Sequence, residues 1–272
     1  MKLLFPLALV ALLVACAPPS TPTLFTPEVP TPTAAVAPLD LSSTMEVGSR
    51  FLYEDGTTLV AVPSGPFVMG HGTADNPEHG VTLSAFWIYA TKVTNHQYLL
   101  CEAQGRCSPP DPLDNPVYSD FEAQNQPVVG VTYAEAAAYC RYVNGALPTE
   151  AQWEKAARGP TANRYPWGNA DPSCSLLNFD NCQKHTTEVN QYTVGGSFYG
   201  ALDMAGNVYE WTADWFDPLY YKNSPPRDPP GPDLGRARVI RASGYRSNAT
   251  QSLSYARAFS SPGDHRRDLG FR

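Results

Sequence analysis

Thiols are the most reactive side chains in this sequence, and their positions limit what it can do. The six cysteines are Cys16, Cys101, Cys107, Cys140, Cys174 and Cys182, so none follows residue 182. Cys101 and Cys107 bracket Gly105, and Cys174 and Cys182 flank a loop in the same way. In an oxidising compartment such local pairs close as disulfides, which predicts Cys101–Cys107 and Cys174–Cys182. Cys140 is left over on an apolar helix face and reads as a buried structural thiol. The five histidines, His71, His79, His96, His185 and His265, form no HxH or HxxxH pair. His71 and His79 flank Asp75 and Glu78 in a loop, the nearest approach to a clustered ligand set, and read as solvated loop residues. There is no glycine-rich phosphate loop and no G-x-S-x-G nucleophile elbow.

Cys16 belongs to a different chemistry. Met1-Lys2 precedes an apolar run from Leu3 to Ala15, and Leu13-Val14-Ala15-Cys16 fits a bacterial lipobox. A basic start with roughly a dozen apolar residues is a secretory signal, shorter than the ~20 residues of a spanning helix. Residues 1–15 are therefore expected to be a signal peptide. Residues 16–44 are expected to form a lipidated cysteine with a Pro/Thr-rich tether, a composition that favours extended chain over a packed core. Residues 45–272 are expected to form one globular domain outside the cytoplasm, lipid-anchored to a bacterial membrane. The formal charge of −7 disfavours nucleic acid, whose binding rests on Lys and Arg contacts to phosphate.

Three helix starts position the rest. Thr94-x-x-Gln97, Thr132-x-x-Glu135 and Thr149-x-x-Gln152 are capping boxes, with stops expected at Gly105, Gly145 and Gly159. Tyr133, Ala136, Ala137 and Cys140 recur at helical spacing as one buried stripe. Strand signals are short: Leu59–Val62, Phe67–Met69, Val81–Trp87 and Val239–Ile240. Trp211 and Trp215 read as core, while Phe216 to Tyr221 reads as a loop able to line a groove. Gly, Pro, Asn and Asp fill the remainder, so the fold class is α+β, irregular and loop-rich, with about three helices and short antiparallel strands.

Several segments together resemble the formylglycine-generating-enzyme, or sulfatase-modifying-factor, family. They include Gly65-x-Phe67-x-Met69-Gly70, Val93-Thr94-Asn95 and Pro127-Val128-Val129-Gly130-Val131-Thr132. The strongest runs from Leu147 to Gly159 (LPTEAQWEKAARG), followed by Tyr165-Pro166-Trp167-Gly168. Gly200 to Trp211 (GALDMAGNVYEW) and Leu269-Gly270-Phe271-Arg272 complete the set in family order. The resemblance implies a C-type-lectin-like fold. It also implies an oxidase that converts a substrate cysteine to formylglycine with copper(I) held by two cysteines near the C-terminus. Here the matching stretch, Arg241 to Thr250 and on to Arg257, carries Ser, Asn, Ala and Thr instead of thiols. Soft copper(I) needs sulfur donors, so copper is not expected, and no catalytic residue is assigned.

The resemblance further implies a structural calcium ion held by the side chains of Asp203 and Glu210 with the carbonyls of Gly206 and Val208. A second family site would map loosely to Asn178 and Asn181. A groove lined by Tyr245, Arg246, Ser247, Asn248, Tyr255 and Arg257 is expected to bind an extracellular peptide, glycan or protein partner. The alternative is a sulfatase-modifying oxidase acting on exported sulfatases. Replacing Cys16 with Ser should move the protein from the detergent phase to the aqueous phase on partitioning; unchanged partitioning would reject lipidation.

Overall fold

In the computed structural model, which describes residues 45–272, each of the three threonines begins a helix. The expected signal peptide, Cys16 and tether lie outside the described residues. Helix α1 spans Asn95–Ala103, α2 Tyr133–Tyr142 and α3 Glu150–Arg158, and in all three both bonds of the capping box are formed. Reciprocal capping satisfies two amides that a helix start otherwise leaves bare. Gly159 caps α3 at φ +70°, and Gly105 turns left-handed just past α1. At α2 the left-handed residue is Asn144, φ +55°, rather than Gly145, because asparagine also tolerates that region. A fourth, one-turn helix, α4 (Tyr220–Asn223), stands where loop was expected.

Among the described residues, nine strands form three small sheets. Strands β1 (Arg50–Leu52), β2 (Thr58–Val62) and β5 (Phe86–Tyr89) make one antiparallel sheet, with β2 in the centre. Strands β3 (Gly65–Met69) and β4 (His79–Leu83) make a hairpin. The single strand expected over Val81–Trp87 is thus two strands, β4 and β5, in different sheets. Strands β6 (Tyr209–Trp215), β7 (Arg238–Arg241), β8 (Ala258–Ser260) and β9 (Leu269–Gly270) form the third sheet in the order β8-β7-β6-β9. The β6–β9 pair is parallel. This sheet stands against α3 and carries the chain segments that build the site.

The main core joins α1 and α2 to the third sheet. Phe271 packs against Tyr98 and Tyr139 at centroid distances of 6.2 and 5.4 Å, and buried Trp211 donates to the Val131 carbonyl at 3.0 Å. Trp211 is fully buried as expected, whereas Trp215 is half-buried beneath the Arg238 guanidinium at 3.5 Å. The disulfides are Cys101–Cys107 and Cys174–Cys182. Cys140 is a free, buried thiol, 5% exposed, and burial pushes its pKa up to about 12. A thiol so rarely ionised is a poor nucleophile. Iodoacetamide at pH 8 should leave Cys140 unlabelled in the native protein and label it after denaturation, read by peptide mapping; native labelling would contradict the burial.

Candidate functional site

The loop from Asp203 to Glu210 is built from left-handed residues. Asp203, Gly206 and Asn207 lie at φ +54°, +77° and +66°. A Cβ on Gly206 would meet the Asn178 carbonyl oxygen at 2.6 Å, so only glycine allows this approach. Asn207 then clamps the neighbouring chain. Its side-chain amide donates to the Thr187 carbonyl at 3.0 Å and accepts from the Thr187 amide at 2.9 Å. Its backbone amide donates to Asn178 O, and its carbonyl accepts from the Tyr245 amide, both at 2.8 Å.

Glu210, on β6, is fully buried. Arg272 donates to its two oxygens at 2.7 and 2.8 Å, Trp153 Nε1 donates to Oε2 at 2.9 Å, and Lys92 forms a buried ion pair with Oε1. Burial alone would raise the carboxyl's pKa, but Arg272 and Lys92 outweigh it and hold it at about 2. Asp203, also buried, has one oxygen without a hydrogen-bond partner. Burial pushes its pKa up to about 6 against the pull of Lys92 and Arg272.

This arrangement does not fit the calcium ion that the family resemblance implied for Asp203, Gly206, Val208 and Glu210. A cation at Glu210 would sit against an ammonium and a guanidinium that already take both carboxylate oxygens. Several cations can share a buried carboxylate only where other anionic groups balance them, and here two cations already face two carboxylates. Of Asn178 and Asn181, the loosely mapped second pair, Asn178 keeps a buried Oδ1 with no hydrogen-bond partner. Asn178 Nδ2 donates to the His185 carbonyl at 2.8 Å, and the Asn181 amide donates to Tyr245 O at 2.8 Å.

A second buried network lies beside the first, because Arg241 is the cross-strand partner of Glu210. Arg241, fully buried at the end of β7, pairs with Glu150 at 3.1 Å and Glu154 at 2.7 Å and donates to Ser254 O at 2.8 Å. Arg257 grips Glu150 with two bonds, 2.8 and 3.0 Å, and donates to Asp75 O at 2.9 Å. Tyr255, 7% exposed, is stacked on His71 at 3.9 Å with Arg158 over its ring at 5.1 Å. Tyr255 and Arg257, expected in a ligand groove, are therefore spent on packing, because their neighbours in sequence are anchored to α3. Phe216 to Tyr221 is likewise no groove wall: Phe216 stacks on Phe259 at 4.4 Å and Tyr221 is 4% exposed.

Between the two networks runs the segment that resembles the oxidases' catalytic stretch, and its hydroxyls bond to one another. Ser243 Oγ lies 2.9 Å from Ser252 Oγ and accepts from the Gly206 amide at 2.9 Å. Ser247 Oγ lies 2.9 Å from the Tyr209 hydroxyl and accepts from the Gly244 amide at 3.1 Å. Neither serine touches a histidine or carboxylate, so neither has the adjacent base that activates a hydroxyl nucleophile.

Beside this segment opens a cavity of about 410 Å³. Tyr245 and Arg246 are among its lining residues. Ser247 lies under its wall, 6% exposed, and Asn248 is exposed at an adjoining turn, bonded to Gln251. Sequence reasoning missed the opposite walls, which come from Asp114 to Val117, Lys184 to Thr186 and Arg267. The Cys174–Cys182 disulfide closes the loop whose Asp180 and Asn181 amides donate to Ser247 O and Tyr245 O, each at 2.8 Å. That pairing sets Lys184 and His185 beside Arg246. Asn115 Nδ2 donates to Asn95 Oδ1 at 3.0 Å, and His265 meets Asp114 at 3.1 Å, which seats the other wall. Among the described residues, Asp111, Asp114 and His265 are the one group of three metal-capable side chains close together. Asp111 already caps the Leu113 amide at 2.8 Å. His71 and His79 are not grouped with Asp75 and Glu78.

Residues 47–272 match the sulfatase-modifying factor enzyme 1-like domain, and the chain belongs to that family. It is 39% identical over 165 residues to the formylglycine-generating enzyme of Streptomyces coelicolor, covering 54% of this chain and 52% of that protein. It is 32% identical over 231 residues to the hercynine oxygenase of Mycolicibacterium smegmatis, covering 69% of this chain and 54% of that protein. The chain thus spans about half the length of each of these relatives. PvdO from Pseudomonas aeruginosa has the same fold, with a TM-score of 0.70 at 23% identity over 84% of this chain and 98% of that one.

Because the Glu210 cluster supplies its own cations, a chelator should leave the melting temperature unchanged. Lys92→Met should lower it by roughly 6–15 °C, from about 3–5 kcal/mol for half-stripping a buried pair. A fall on chelation alone would restore calcium to the site.

Proposed function

We propose that the protein is a lipid-anchored, extracytoplasmic recognition domain that has kept the family scaffold without the family's oxidation chemistry, and that the groove beside Tyr245 and Arg246 binds an extracellular peptide, glycan or protein partner. The observation that carries this reading is the chemistry of residues 241–257. Where copper(I) would require thiolates, the chain offers serine hydroxyls engaged with Tyr209, Ser243 and backbone groups. The one free cysteine among the described residues is buried and its thiol is held protonated. Fold alone does not carry an activity; the site does.

A second reading, a sulfatase-modifying oxidase, is favoured by the 39% identity to the Streptomyces coelicolor formylglycine-generating enzyme. The two readings part in one assay. The purified protein is incubated with copper(I), oxygen and a Cys-x-Pro-x-Arg peptide, and the peptide mass is followed. The recognition reading expects no change in mass, whereas conversion of the cysteine to formylglycine would overturn it.

A further inference from the structure

The charge of the groove selects among the ligands that the recognition reading leaves open, and the inference rests on that reading. Lys184, Arg246 and Arg267 all line the cavity and are all exposed. Among the described residues neither Lys184 nor Arg246 has a carboxylate within 4.0 Å; Arg246 lies over the Tyr245 ring at 5.2 Å. Asp114, the single carboxylate in the lining, is already occupied. His265 meets it at 3.1 Å, the Arg267 guanidinium approaches to 3.7 Å, and its hydrogen bond to His265 leads the causes that raise that imidazole's pKa. Lys184 and Arg246 therefore leave unneutralised positive charge in the groove, on a chain of net charge −7, and Arg267 adds a cation whose one carboxylate neighbour is shared with His265. A local field opposite in sign to the rest of the surface steers ligands of one sign toward it.

The rest of the lining narrows the class. Pro116 and Val117 are exposed in the same lining, which also holds buried Val129, and these suit aliphatic side chains. The one tyrosine in the lining, Tyr245, is 4% exposed and offers no open face for stacking a sugar. Three cations on an acidic chain are too few for nucleic acid, whose affinity grows with the number of phosphates neutralised.

We propose that the groove takes an acidic peptide segment, its carboxylates meeting Lys184, Arg246 and Arg267 and an aliphatic side chain resting on Pro116 and Val117. The same charges repel a peptide that must present arginine, such as the Cys-x-Pro-x-Arg motif of the oxidases' substrates.

Fluorescence anisotropy on the intact protein tests this with three labelled peptides of one length. One alternates Asp or Glu with Val, one has Asn and Gln in place of the acids, and one has Lys. The acidic peptide should bind at least about tenfold more tightly than either counterpart, a difference of ~1.4 kcal/mol, and weaken as salt rises. Arg246→Glu with Arg267→Glu should abolish that preference; Lys184→Glu serves as a second variant, and unchanged melting temperatures certify folding. Equal binding of the Asn/Gln peptide would overturn the charge assignment yet leave recognition standing. Displacement of the acidic peptide by a sulfated tetrasaccharide, or no binding by any peptide at millimolar concentration, would overturn the peptide assignment. Formylglycine formation in the copper assay, by contrast, would remove the recognition reading itself.

Discussion

Glu210 is where four distant parts of the chain meet. Its carboxylate draws in Lys92 from the segment before α1, Trp153 from α3 and Arg272 at the end of the sequence, while Glu210 itself sits on β6. A buried carboxylate is costly unless its lone pairs are filled by charged or strongly donating groups. Here every direction is filled, and each partner comes from a different element. Satisfying one charge thereby sets the relation of the third sheet to α3 and to the start of α1. Arg272 extends the effect by donating to the carbonyls of Tyr89 and Leu202, at 3.1 and 2.9 Å, which ties in the first sheet and the loop before Asp203.

The adjoining Arg241–Glu150–Glu154–Arg257 network does the same between α3 and the strands β7 and β8. Two charged clusters, rather than long strands or helices, thus hold a chain in which most strands are five residues or fewer. Short elements bury little apolar surface each, so an irregular domain must draw its order from satisfied polar groups and covalent ties. The loops between the clusters are fastened in the same currency. Asn207 bridges Thr187 and Tyr245, Asn115 bridges Asn95 and Val129, and the disulfides Cys101–Cys107 and Cys174–Cys182 close one loop each.

This construction separates scaffold from chemistry. Arg241 and Arg257 belong to the packing of α3, so the stretch between them is held in place whichever side chains it carries. A scaffold that positions a segment without depending on its reactive groups tolerates exchange of thiols for hydroxyls there. Ser247 and Ser252 illustrate the result: each is seated by local hydrogen bonds, with no base beside it.

Much of this was legible in the residues alone. Capping boxes signal themselves because both partners lie within one turn, and all three were found where Thr94, Thr132 and Thr149 stand. Cysteines 6 and 8 residues apart can close only short loops, so their pairing was readable too, and the ordered motifs carried the family and hence the fold. What the sequence could not show depends on contacts between distant residues. Nothing around Lys92 marks it as the partner of Glu210, 118 positions away, yet that ion pair engages the carboxylate that the resemblance assigned to calcium. Tyr255 and Arg257 lie in the segment that should line a groove, and only the positions of His71, Arg158 and Glu150 reveal that they are buried in packing. The groove's cationic wall joins Lys184, Arg246 and Arg267 from three loops. No local periodicity encodes such a meeting, because charge in loops is arranged by tertiary hydrogen bonds, not by a helical or strand repeat.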